Sequence, residues 1–247
     1  GKNVEAETAL VFTLDNLNLL ESTAIINGNN TYKHSTTKDA TKLGGALCAY
    51  GGTVVLSKAQ LKNNYADYGG GIYAANYSTI TIENSVISEN SSSTNGGGMS
   101  TNAKTTITSS EISNNKTISG GGLYTIGGIE IKDSTISNNT AQTNAGGMFV
   151  RGSAEINNTK IVNNQAQTTG GGIYITRNAN DWVIGDFNII DSDISNNSAG
   201  TNGGGLAIYN VPLTISGSTT FTQNQAVNAQ GSGICIGENS ILTLNNG

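Results

Sequence analysis

The sequence predicts an all-β solenoid, a parallel β-helix of about 25 residues and three short strands per rung. Three observations predict it. Eight short glycine clusters each run into an aliphatic residue, from Gly44-Gly45-Ala46-Leu47 to Gly231-Ser232-Gly233-Ile234. Their last small residues stand at 46, 71, 98, 122, 147, 172, 205 and 233, so the intervals are 25, 27, 24, 25, 25, 33 and 28 residues. Between clusters, short stretches alternate apolar and polar residues with the period of two that marks a half-buried strand. Finally, an asparagine recurs at one fixed place in seven successive repeats: Asn64, Asn90, Asn115, Asn139, Asn164, Asn197 and Asn224.

The first strand of each repeat starts at the glycines, as in Ile72-Tyr73-Ala74, Leu123-Tyr124-Thr125 and Ile173-Tyr174-Ile175. Its first and third residues are expected to face inward. The second strand follows in Val54-Val55-Leu56, Ile80-Thr81-Ile82 and Ile129-Glu130-Ile131, with a middle residue that is often polar. The third centres on one apolar residue, Leu61, Ile87, Ile112, Ile136, Ile161, Ile194 or Phe221. The asparagine stands three residues beyond it. An amide carries donors and an acceptor, so identical amides one strand spacing apart can bond up a stack while tolerating a sharp turn. Two residues later a small side chain (Ala66, Ser92, Thr117, Ala141, Ala166, Ala199 or Ala226) suits re-entry into a narrow interior. The glycines then supply positive-φ corners or close backbone approach.

The alternatives fit less well. Helical repeats need a 3.6-residue apolar stripe and few β-branched residues or glycines. A propeller blade needs roughly 40 to 50 residues. A single β-helix domain over 1–247 is expected, with 1–43 an atypical N-terminal rung carrying an insertion at Thr31 to Lys42, and 176–186 a projecting insertion. A chain starting at Gly1 without Met is expected to be processed or cut from something longer. Twelve Lys and Arg against 17 Asp and Glu, a net charge of −5, offer no basic stripe to a nucleic-acid backbone. No apolar run is long enough to cross a membrane. Cys48 and Cys235 take the same repeat position seven rungs apart, roughly 34 Å at ~4.8 Å per rung, too far for a disulfide within the chain.

Gly44-Gly45-Ala46-Leu47 and Phe221-Thr222-Gln223-Asn224, with degenerate copies such as Ile112-Ser113-Asn114-Asn115, resemble the Gly-Gly-Ala-Ile and Phe-x-x-Asn motifs of the chlamydial polymorphic outer-membrane proteins. The resemblance covers about residues 44 to 236. It implies a single-stranded-turn right-handed parallel β-helix displayed on a cell surface and used for adhesion.

Candidate sites lie where the rod departs from pure repetition. The 33-residue interval holds the single tryptophan, and Trp182, Arg177, Asp181 and Asp186 form a candidate binding group, since solenoid insertions project from one face and an indole offers a platform for a sugar. The outward position of the first strand reads Cys48, Tyr73, Ser100, Tyr124, Phe149, Tyr174, Ala207 and Cys235. Tyr124, Phe149 and Tyr174 are therefore expected to stack as an aromatic ladder, either bracing the sheet or binding a partner. Seven Asn-x-Ser/Thr sequons begin at Asn29, Asn76, Asn90, Asn115, Asn138, Asn157 and Asn196. Asn90 and Asn115 belong to the amide column, which leaves Asn76, Asn138, Asn157 and Asn196 as candidate glycosylation sites.

Catalysis and metal binding are not expected. The best local carboxylate pair is Asp191 and Asp193, with Asp181 and Asp186 nearby in sequence and Arg177 preceding them, but carboxylates on the solvent face of a solenoid are common, and His34 sits in a polar insertion. The glycine runs lack the Lys-Ser/Thr of a phosphate loop. No cofactor is implied. The expectation is a noncatalytic extracellular or cell-surface protein, an adhesin or surface-structural module, whose partner is a host or environmental glycan or a surface protein. Two alternatives stand beside it: a filament subunit self-associating through open solenoid ends, and a polysaccharide lyase or hydrolase.

Overall fold

A computed structural model describes residues 11–15, 18–20, 24–26, 43–177, 185–228 and 231–245, the first three stretches as backbone. The chain coils as a parallel β-helix. Every paired strand bonds to its equivalent one repeat away, in four parallel sheets of nine, eight, seven and nine strands. The first nine-stranded sheet carries the second strand of each repeat, such as Ser78–Glu83 and Ile129–Lys132. The eight-stranded sheet carries the third, such as Val86–Ser88 and Thr135–Ser137. The other nine-stranded sheet carries the post-glycine strands, such as Ile72–Ala74, Leu123–Thr125 and Met148–Val150.

The seven-stranded sheet makes a fourth strand per rung, where three were expected from the sequence. It is built from the small residues after the asparagines, in segments as short as Thr140–Ala141 and Gln165–Ala166. Two residues are too few to show an alternation, which is why the strand is hidden in the pattern.

Inward columns fill the rod. Leu61, Ile87, Ile112, Ile136, Ile161 and Ile194 stack one per rung, each at most 1 % exposed. A fully buried side chain of this size stabilises by about 1.5–3 kcal/mol. Thr105 interrupts the column that runs Ile80, Thr105, Ile129, and its hydroxyl is satisfied by the Thr101 hydroxyl at 3.2 Å and the Ala103 carbonyl at 3.3 Å.

Three corner devices hold the rungs in register. At the first, the asparagine side chains bond one to the next, with Nδ2 to Oδ1 distances of 2.9, 3.2, 3.0, 3.0, 3.0 and 3.1 Å from Asn64 to Asn224. Each Oδ1 from Asn90 to Asn224 also accepts the backbone N–H of the asparagine before it, as Asn139 accepts from Asn115 at 2.9 Å. The Asn64 Oδ1, at the start of the column, has no partner among the described residues.

The second corner is a hydroxyl ladder that the sequence reading did not single out. Ser85, Ser110 and Ser134 each accept the backbone N–H of the equivalent residue in the previous rung at 3.0 to 3.1 Å, and Thr159 donates its N–H to Ser192 in the same way. Each hydroxyl donates to the carbonyl two residues back, so donor and acceptor are both used. A positive-φ residue precedes both ladders, for example Asn84 and Asp191 before the hydroxyls and Asn114 and Asn138 before the amides. Its short polar side chain tolerates that conformation.

The third corner is the glycine cluster. Its first residue has a φ near +65° in seven of the eight clusters, while Ala145 holds the same conformation at +61° in the fifth. Its second residue lies against the next rung: a Cβ on Gly121 would sit 2.2 Å from the Gly146 carbonyl oxygen. In the last cluster this column carries Ser232, whose hydroxyl accepts the Ala226 N–H at 3.2 Å.

Candidate functional site

The post-glycine sheet presents its outward column as one face. Tyr124 stacks on Phe149 with centroids 4.6 Å apart and planes 14° from parallel, and Phe149 meets Tyr174 at 5.2 Å and 37°. The ladder continues to Tyr209, 5.6 Å from Tyr174. Tyr209 was not foreseen, because the equivalent outward position in its rung is Ala207. It lies one pleat further along Leu206–Tyr209, on the same face, opposite Thr176. Phe149 is 9 % exposed, while Tyr124, Tyr174 and Tyr209 are half-buried with their edges open. Tyr50 and Tyr73 form a second pair, 5.8 Å apart.

Between the two aromatic groups the column holds Ser100, paired to Tyr73 on one side and Tyr124 on the other. A serine in place of a ring opens a slot of about 180 Å³. Tyr73 and Tyr124 form its two walls and Ser100 its floor, with Asn95 on one flank and Asn102 on the other. Leu43, Tyr68 and Ile126 also line it, Ile126 being 36 % exposed. Among the described residues no charged side chain lines it. The interruption is visible in the sequence as Tyr73, Ser100, Tyr124, although its meaning depends on the rings beside it.

A larger groove of about 530 Å³ lies on the second-strand sheet. Glu130 and Glu155 stack there in adjacent rungs, beside Asn188, with Asp186 at the edge. Lys104 lies 3.7 Å from Glu130 in an exposed ion pair, which contributes little to stability.

Of the candidate binding group, Arg177 and Asp186 lie among the described residues. Arg177 donates to the Gly185 carbonyl at 3.1 Å and lies 5.5 Å from the Phe187 ring centroid, so its guanidinium pins the base of the insertion. Asp186 borders the acidic groove. Asp181 and Trp182 lie outside the described residues, as do His34 and Asn29. Asp191 and Asp193 serve a corner: the Asp191 carboxylate accepts the Ser218 N–H at 2.8 Å, and that of Asp193 the Thr220 hydroxyl at 3.3 Å. Among the sequons, Asn90 and Asn115 are about 1 % exposed within the amide ladder, Asn76, Asn138 and Asn196 are exposed, and Asn157 is half-buried.

Cys48 and Cys235 are free thiols, the first buried and the second partly exposed. Burial pushes the Cys48 thiol up from 9.0 to about 12, against a smaller opposing effect of its hydrogen bond to Tyr50. Burial likewise raises Tyr50 to about 12 and raises Tyr73. The native state thus keeps protons that the unfolded chain loses, so the stabilisation is complete below pH 9 and is lost as the pH rises towards 12. We expect a thiol reagent at pH 8 to label Cys235 within minutes and Cys48 only on unfolding. Equal labelling rates in the native protein would contradict the burial.

The family model described as "right handed beta helix region" matches residues 21–189, more than half of the chain. No curated protein and no solved structure matches it. Among the described residues no helix is long and apolar enough to cross a membrane.

Proposed function

The chain belongs to the right-handed β-helix family, and we propose that it is a noncatalytic, extracellular member that binds a glycan or a surface protein through its aromatic face. One observation carries this reading: the outward column stacks the half-buried rings of Tyr124, Tyr174 and Tyr209 with the buried ring of Phe149 into one stripe, on a rod whose polar columns mostly satisfy one another. Aromatic edges in a contiguous line are a surface that partners use. The motif resemblance to chlamydial surface proteins supports display outside the cell. So do exposed sequons at Asn76, Asn138 and Asn196, sites that a host with the machinery would glycosylate. The engagement of Asp191 and Asp193 in corner hydrogen bonds supports the noncatalytic part of the reading.

The test pairs a glycan array and a cell-surface binding assay with a panel of acidic and neutral polysaccharides scored for cleavage. We expect retention on a glycan or a cell surface, without release of reducing ends or unsaturated products. Cleavage of any polysaccharide, abolished by Glu130→Gln or Glu155→Gln in the acidic groove, would replace the reading with an enzymatic one. Absence of retention on every surface would also overturn it.

A further inference from the structure

We propose that the slot over Ser100 holds one neutral pyranose ring, the terminal or branch sugar of a glycan; this rests on the binding function proposed above and assigns it a place and a ligand class. A sugar binds an aromatic residue through the ring's face, and in a stacked ladder the faces are consumed by neighbouring rings. Phe149 covers one face of Tyr124 at 4.6 Å and 14°. The other face of Tyr124 is directed away from Phe149, towards the rung of Ser100, where the column has no ring to meet it. The slot is thus the break in this column where an aromatic face is left to a ligand.

Its dimensions suit that ligand. Tyr73 and Tyr124 are two rungs apart, about 9.6 Å at ~4.8 Å per strand spacing. Carbon atoms in contact need about 3.5–4.0 Å on each side. What remains between the walls is on the order of 2 Å, the thickness of a puckered ring with its axial substituents. The volume of about 180 Å³ is below the ~300 Å³ at which sites for drug-sized ligands begin, so one ring enters and the rest of the chain stays outside.

The chemistry of the lining selects further. Asn95 and Asn102 both line the slot, and an amide supplies both donors and an acceptor, matching hydroxyls that need both. Among the described residues nothing in the lining carries a positive charge to balance a carboxylate, so an anionic sugar would be partly desolvated without a partner there. Neutral hexoses and N-acetylhexosamines are therefore favoured over uronates and sialic acids.

Ser100→Tyr supplies the decisive variant, because it completes the aromatic column at an outward position and fills the slot without touching the core. Saturation-transfer NMR and calorimetry on the whole chain, with methyl pyranosides of glucose, galactose, mannose, N-acetylglucosamine and glucuronic acid, read the outcome. We expect at least one neutral pyranoside to bind, at least tenfold tighter than the glucuronide. Ser100→Tyr should abolish binding with an unchanged or raised melting temperature, and Tyr124→Ala should weaken it at least tenfold. Binding that persists in Ser100→Tyr, or a glucuronide that binds as well as the neutral sugars, overturns the slot while leaving the wider binding function intact. A chain that retains glycans on the array yet binds no free pyranoside also overturns it. A chain that binds neither glycans nor cells overturns the functional reading itself.

Discussion

Replacing Asn139 by alanine is expected to destabilise the protein by about 3–6 kcal/mol and to split its unfolding into two transitions. The side chain is fully buried and makes four hydrogen bonds. Its Oδ1 accepts the backbone N–H of Asn115 at 2.9 Å and the Asn115 Nδ2 at 3.0 Å. Its Nδ2 donates to the Asn164 Oδ1 at 3.0 Å and to the Ile112 carbonyl at 2.9 Å. Alanine leaves the Asn115 backbone N–H buried without its partner, strips Asn115 Nδ2 of one of its two acceptors while its bond to the Ile87 carbonyl remains, and removes the donor to the Ile112 carbonyl and the Asn164 Oδ1, at about 1–3 kcal/mol for each buried group left unpaired. Asn139 sits mid-column, and in a solenoid each rung touches only its neighbours, so a weakened contact uncouples the two sides. Urea unfolding followed by circular dichroism checks this. Asn138→Gly, a neighbouring exposed residue with a φ of +55°, should change stability by no more than about 0.5 kcal/mol. A single transition for Asn139→Ala, within about 1 kcal/mol of the parent, would show that the ladder is ornamental.

The glycine columns lead to the second large effect. Gly121→Ala is expected to abolish the folded rod or cost more than about 4 kcal/mol, beyond the ordinary range for one substitution. The new Cβ would meet the Gly146 oxygen at 2.2 Å, the Thr140 nitrogen at 2.8 Å and the Thr140 oxygen at 2.9 Å. All three are backbone atoms of the next rung, held by their own ladder bonds, so relief requires the rungs to part. Gly128→Ala is the matched control: its Cβ would meet only the Ser153 hydroxyl, at 2.8 Å, which can rotate away. Thermal melts should therefore separate the two alanines widely, and equal melting temperatures would refute the close-approach argument.

Much of this was legible because a solenoid converts sequence period into spatial stacking. Residues 24 to 33 apart become neighbours about 4.8 Å apart, so a column of asparagines in the sequence is a column of bonded amides in space. The same translation places Tyr124, Phe149 and Tyr174 in one stack and separates Cys48 from Cys235. The less legible features depend on direction within a rung. The fourth strand is too short to alternate, the Ser85–Ser110–Ser134 hydroxyls matter only once a left-handed residue turns the chain before them, and Tyr209 joins the ladder from a different pleat position than the other rings.

By itself, then, the sequence determined the rung, its inward columns and its amide ladder, since each depends only on identity at a repeated position. The tertiary structure decided where that repetition leaves a face open. Ser100 reads as one more small outward residue until Tyr73 and Tyr124 stand on either side of it, and only in space is the Arg177 guanidinium seen bonded to Gly185 and lying over Phe187. A missing ring becomes a slot only when its neighbours are held rigid on both sides, and that is a property of packing.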